Sequence, residues 1–305
     1  MKVLVTGGTG FLGQECVRLL RQAHHDVLTT DKRGTPDVVA DLVDASHVRR
    51  LPAVDAVVHC AAVQYVSADL PLFARRQYFH TNNVVATRNL ADRYAGTGAH
   101  FVNIGSSMMY EQVAGRTYNA RSPWRGQGLY TASKIAAQGY VDRMPDPVAC
   151  VIPTIIAGKG RGGLFASLVK TMRRWNIAIC PGPGRHKTHL VHVHDAASLV
   201  VAVVEARATG RFNAASSEPL SIVEWIGEIA AALHVPHVRT LTLPLEPLAL
   251  ASAMSGYRLL AREQVLMLRL PHVLALDESL ALGWTPQFTN AEIVRETALA
   301  LSGSS

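Results

Sequence analysis

Through the first half of the chain, short aliphatic and β-branched runs alternate with longer amphipathic ones. KVLVT, DVLTT, DVVA, AVVHC, HFVNIG and VACVIP read as strands, whereas FLGQECVRLLRQA and FARRQYFHTNNVVATRNLADRYA carry helical spacing. Nearly continuous apolar strands separated by helices are what a parallel sheet covered on both faces requires. The pattern therefore predicts an α/β, Rossmann-type doubly wound parallel sheet over residues 1–153. After VACVIP the alternation fails. GKGRGG, PGPGRHK and a proline-rich stretch from 236 to 247 predict a smaller C-terminal substrate-binding lobe over 154–305, with segments near 188–215 returning to the first domain.

A chain of 305 residues, 49% hydrophobic and 17% charged, buries a real core and is not disordered. Its formal charge of +7 raises the question of nucleic acid, but the arginines fall in scattered pairs (Arg49-Arg50, Arg75-Arg76, Arg173-Arg174) with no basic helix and no aromatic interleaving. Solvated faces explain them, and a positive field also favours an anionic cofactor or substrate. MKVLVTGG reads as a strand and a turn, not a secretory signal, and SLVVAVVEA is too short to cross a bilayer. Cys16, Cys60, Cys150 and Cys180 have no paired spacing and read as reduced thiols. A soluble cytoplasmic protein without a membrane or nucleic-acid partner is expected.

The first strand runs directly into GGTGFLG, which sets Gly7, Gly10 and Gly13 at a strand-to-helix turn. Such a turn lets backbone approach a pyrophosphate while the helix N-terminus offers free N–H groups and a positive dipole. The second strand ends at Asp31, placed to accept hydrogen bonds from an adenosine ribose, where a 2′-phosphate would meet like charge. NAD is favoured. Lys32 and Arg33 follow at once and either would clamp a 2′-phosphate, so NADP stays open. The bland reading of Asp31 is a turn residue before Gly34.

With the further segments Asp41-Leu42, HCAA (His59 to Ala62), NVVATRNL (Asn83 to Leu90), GSSMMY (Gly105 to Tyr110), YTASK (Tyr130 to Lys134), VHVHDAA (Val191 to Ala197) and LGWTP (Leu282 to Pro286), TGGTGFLG makes the chain resemble the extended short-chain dehydrogenase/reductase superfamily. That superfamily is also called the NAD-dependent epimerase/dehydratase family. The resemblance implies that Phe11 and Leu12 of the glycine turn belong to the cofactor site. It also implies that Asp41 and Leu42 lie against the adenine, that Ala61 and Ala62 let the cofactor pass, and that Asn83 orders the site. A loop acid and a helix-capping amide are the plain alternatives for Asp41 and Asn83.

Tyr130 and Lys134, at i and i+4, share a helix face, so an ammonium can sit near a phenol. That charge, with an oxidised nicotinamide, would move a tyrosine pKa from about 10 towards neutral pH. Tyr130 then exchanges the substrate proton, and Lys134 also holds the nicotinamide ribose. Ser106, by the family pattern, steadies the substrate oxygen, with Ser107 its neighbour in register. Taken alone, a Tyr-x-x-x-Lys pair is more often solvated helix surface.

Family dehydratases carry an Asp-Glu pair where this chain has Ser107-Met108, so a 4,6-dehydratase is disfavoured. Oxidation, reduction or epimerisation is expected, preferably of a nucleotide-linked sugar. Arginine and asparagine donors usual in that class are replaced by Ile152, Ile155 and Thr188, and Arg161, Arg185, Lys187 and Arg269 stand as substitutes. YRLLAREQVLML loosely resembles the C-terminal region of 3β-hydroxysteroid dehydrogenase relatives, which makes an apolar ketone or alcohol the second reading. A cofactor sensor without chemistry is a third, set back by the retained Tyr130 and Lys134. The stretch HKTHLVHVHD invites a metal, but His192 and His194 are expected on one face of a strand with Asp195 capping the next helix, so no metal is assigned. Homodimerisation through helices around 78–95 and 130–144 is a family expectation.

Overall fold

Val3 and Val5 point to one side of the first strand and Leu4 to the other, and all three are fully buried, in two different apolar clusters. That double burial is the mark of a central parallel strand. In the computed structural model, which describes residues 1–67, 69–161, 163–255 and 260–303, seven parallel strands form the main sheet. In chain order they are β1 (Lys2–Thr6), β2 (Asp26–Asp31), β3 (Val38–Val39), β4 (Ala56–His59), β5 (His100–Ile104), β6 (Val148–Pro153) and β7 (Gly210–Ala214), and in space β7-β6-β5-β4-β1-β2-β3. DVVA contributes only the two-residue edge strand, where Val39 is exposed.

Helices Phe11–Gln22 and Val193–Glu205 cover the Val3 face. Helices Ala86–Tyr94 and Leu129–Val141 cover the Leu4 face, packing through Leu90, Tyr94 and Val141. A separate cluster joins Phe165, Met172, Trp225, Ile229 and Ile293 from helices Gly163–Trp175, Ile222–Ala232 and Asn290–Ser302. The sheet order reverses beside β1, with β2 on one side and β4 on the other, which opens a crevice at the strands' carboxyl ends.

Two local expectations are corrected. His192 and His194 do not share a strand, because the strand is Leu190–His192 and the helix begins at Val193. The His192 ring caps that helix, its Nδ1 accepting from the His194 N–H at 3.2 Å. Asp195 is therefore inside the first turn and caps nothing. Its fully buried carboxylate accepts the N–H groups of Gln287 and Phe288, each at 3.1 Å, and so anchors the chain just after LGWTP. His192 also stacks on Phe288 and meets Glu296 at 2.9 Å, and His194 lies 3.0 Å from Glu15.

Tyr257, Arg258 and Leu259 of YRLLAREQVLML, and Gly162 of GKGRGG, lie outside the described residues. Among those described, no helix is long and apolar enough to cross a membrane.

Candidate active site

Gly7 leaves β1 with φ of +65°, and a Cβ there would come within 2.8 Å of the Ala61 backbone. Only glycine lets the turn take this conformation against the end of β4. At Gly13 a side chain would overlap the Gly7 carbonyl, so the helix start is pressed onto the turn. The first-turn N–H groups of Phe11–Gln22 have no intrahelical partners of their own and stand above β1. The Leu12 side chain is buried in the core, which leaves only its backbone to face a ligand, and the Phe11 ring lies beneath the Arg161 guanidinium at 5.4 Å.

From this turn a cleft of about 180 Å³ runs over the sheet, lined by Gly7, Gly10, Asp31, Lys32, Asp41, Leu42, Ala61 and Ala62 among others. Eight of the positions singled out for a cofactor thus share one wall. Asp31 is held ready: one carboxylate oxygen accepts from the Thr9 hydroxyl at 2.6 Å and the other from the Lys32 N–H at 2.8 Å. The Lys32 ammonium reaches Asn82 at 3.1 Å, and the Arg33 guanidinium pairs with Asp69 at 2.9 Å. The buried Thr30 hydroxyl, also on the cleft wall, lacks a hydrogen-bond partner among the described residues. A turn of free N–H groups, an unpartnered buried hydroxyl and a fixed acidic acceptor fit a dinucleotide.

The far end of the cleft is set by a chain of buried polar contacts. Thr87 donates its hydroxyl proton to the Asn83 carbonyl at 2.6 Å, so it accepts from His59 Nε2–H at 2.9 Å, and His59 Nδ1 in turn accepts from the Thr6 hydroxyl at 2.7 Å. Burial, with Lys134 nearby, pushes the imidazole down to about 3, so His59 is a neutral brace. A π-helical turn, His80–Val85, swings Asn83 inward. Its amide accepts from the Val63 N–H at 2.8 Å and donates to Ser133 Oγ at 2.9 Å, fastening the β4 loop to helix Leu129–Val141.

Tyr130 and Lys134 project from that helix on one face, 7% and 4% exposed. Ser106 follows β5, where its hydroxyl accepts from the Met108 N–H at 3.3 Å and favours the ionised form of the Tyr130 phenol. Ser107, its neighbour, is buried against His272 Nε2 at 2.7 Å. Burial pushes Tyr130 up to about 12, against a downward pull from the Ser106 hydroxyl and the Arg161 charge, with Glu263 adding to the rise. Burial likewise lowers Lys134 to about 8. Lys134 is not among the groups that shift the phenol, and desolvation outweighs the pull of Ser106 and Arg161.

Of the arginines and lysines offered as substrate donors, Arg269 pairs with Glu246 and Lys187 with Glu224, each at 2.6 Å. Arg161 is the one whose charge reaches Tyr130, and it also donates to Gln64 at 3.0 Å. Ile152 is core. Tyr65 and Glu263, which no sequence motif singles out, also reach helix Leu129–Val141. Tyr65 packs edge-on against Tyr130 at 6.1 Å, and Glu263 contacts the helix start. Tyr65 stands close after HCAA, a proximity that hints at it, but nothing in local spacing points to Glu263.

The model of the family described as "NAD dependent epimerase/dehydratase family" matches residues 3–215. The 2-alkyl-3-oxoalkanoate reductase of Stenotrophomonas maltophilia is 28% identical over 268 residues, covering 78% of this chain and 77% of that protein. The UDP-glucose 4-epimerase of Vibrio cholerae is 26% identical over 322 residues, covering 98% and 94%. Among solved structures, the human epimerase family protein SDR39U1 with NADPH superposes with a TM-score of 0.80 at 20% identity, over 98% of this chain and 99% of its own, a likeness of fold. With the glycine turn, the acidic end of β2 and the YTASK helix in their expected order, the chain belongs to the NAD-dependent epimerase/dehydratase family.

Proposed function

We propose that the protein interconverts a hydroxyl and a keto carbon of a small molecule, as an oxidoreductase or epimerase in which Tyr130 moves the proton. Membership of the family makes it an NAD(P)-dependent enzyme. The observation that carries the reading is that Tyr130 and Lys134 lie buried one turn apart on one helix, with the Ser106 hydroxyl and the Arg161 charge both acting on the Tyr130 phenol. When bound along the cleft, the dinucleotide supplies hydride transfer. Gly7, Gly10 and the backbone of Phe11 to Gly13 would hold its phosphates, Asp31 a ribose, and Asp41 and Leu42 the adenine. Asp31 favours NAD over NADP, since the nearby cations Lys32 and Arg33 are already engaged with Asn82 and Asp69.

Tyr130 is neutral at working pH by its own surroundings, so it is poised to give a proton to the oxygen of a ketone. The phenolate left behind is stabilised by the Ser106 hydroxyl and the Arg161 charge. In the reverse direction the same phenolate takes the proton back from an alcohol.

Two substrate readings stand. A nucleotide-linked sugar is supported by the likeness to UDP-glucose 4-epimerase along nearly the whole chain. An apolar ketone or alcohol is supported by the likeness to the 2-alkyl-3-oxoalkanoate reductase over 78% of the chain. Both are separated by following NADH consumption with a panel of 4-keto nucleotide sugars and of long-chain 3-oxo acids and steroid ketones. In the responding assay, Tyr130→Phe should lower turnover by about 100-fold or more while cofactor binding is kept. Undiminished turnover in that variant would remove Tyr130 from the chemistry and favour a cofactor sensor.

A further inference from the structure

The helix that carries Tyr130 starts without a cap of its own. Its N-cap residue is Gly128, which has no side chain to receive the orphan N–H groups of the first turn. The partners come from elsewhere. Glu263, on helix Arg262–Arg269, accepts from the Thr131 N–H at 3.1 Å and lies 3.2 Å from the Thr131 hydroxyl, across 132 residues of sequence. The Tyr65 hydroxyl accepts from the Tyr130 N–H at 3.3 Å and donates to the same carboxylate at 3.1 Å. Glu263 is 3% exposed, and no lysine, arginine or histidine pairs with it among the described residues. Its donors are the helix start and two hydroxyls, the setting in which a carboxylate also complements the positive end of a helix dipole. The absent side chain at 128 is part of the arrangement, because any Cβ there would overlap the Glu263 carboxylate.

We propose that Glu263 is a positioning residue for Tyr130: a cap delivered by the C-terminal lobe, so that seating of the lobe and orientation of the phenol are one event. This rests on Tyr130 being the proton carrier. The carboxylate does two things at once. It holds the Tyr130–Thr131 backbone through Thr131 and Tyr65, and its negative charge favours the protonated phenol, opposing Arg161.

The test uses the full chain with tyrosine rings labelled in 13C, the Tyr130 resonance being assigned by its loss in Tyr130→Phe. Glu263→Gln keeps an acceptor and loses the charge, so the Tyr130 titration should move to lower pH while the Thr131 amide stays protected from hydrogen exchange. Glu263→Ala should speed exchange at Tyr130 and Thr131 by roughly tenfold or more, because a charge-assisted hydrogen bond is gone. Gly128→Ala, which displaces the carboxylate without altering it, should reproduce that gain and keeps the test open if Glu263→Ala fails to fold. An unmoved phenol titration in Glu263→Gln, or unchanged exchange in both Glu263→Ala and Gly128→Ala, overturns the proposal. These readouts need no substrate, so a failure of the proton-carrier reading, seen as full turnover in Tyr130→Phe, is told apart from a failure of the cap.

Discussion

Lys134 is a cation placed where water cannot reach it. Burial lowers it from 10.5 to about 8, so at pH 7 it stays charged in both the folded and the unfolded chain, and folding bears the full cost of desolvating it. Above about 10.5 the group is neutral in both states and that cost is gone. Between about 8 and 10.5 the unfolded chain binds more protons, so wild-type stability gains from this group as pH rises, by about 3 kcal/mol in all. Lys134→Met should therefore raise Tm at pH 7 while abolishing turnover, with its advantage shrinking across that window; thermal melts of both proteins from pH 7 to 10 check it. A residue that lowers stability where it stands is the pattern of a site kept for function. That Tyr130 and Lys134 share a helix face was legible in the sequence because it is a local consequence of i, i+4 spacing. Glu263 and Tyr65 were not, because their contact with that helix is made by chain folding alone.

At the level of elements, helix starts show how far capping rules carry. Ser221 with Glu224 and Thr289 with Glu292 form capping boxes whose members lie three residues apart and read directly from sequence. Asp195 misleads the same rule: it looks like a cap and is instead an anchor, because the helix is capped three residues earlier by His192. Removing its carboxylate by Asp195→Ala would leave the N–H groups of Gln287 and Phe288 without their acceptor. A loss of about 2–3 kcal/mol is expected, measured by urea denaturation, and a loss within error of zero would mean that water replaces the carboxylate. The π-helical turn at His80–Val85 was equally unreadable, since NNVVATRNL has ordinary helical composition and the extra residue shows itself only in where Asn83 points.

For the whole molecule, the order β7-β6-β5-β4-β1-β2-β3 places the glycine turn, Asp31 and the loop after β4 around one crevice, though they are spread over some sixty residues of sequence. A ligand spanning that crevice touches several elements at once and stabilises all of them by mass action, by about 2.7 kcal/mol at a hundredfold excess over Kd. NADH should raise Tm more than NADPH at equal concentration, since a 2′-phosphate meets the Asp31 carboxylate; a larger shift with NADPH would show Lys32 or Arg33 leaving its present partner. The sequence alone determined the alternation of buried strands and covering helices, the glycine turn and the Tyr130–Lys134 pair, because periodicity, φ preference and helical spacing act between near neighbours. Only the tertiary structure decided that desolvation keeps the phenol protonated and that Glu263, across 132 residues of sequence, accepts from the start of the helix that carries Tyr130. Burial and long-range contact depend on the packing of the entire chain, and no window of sequence contains them.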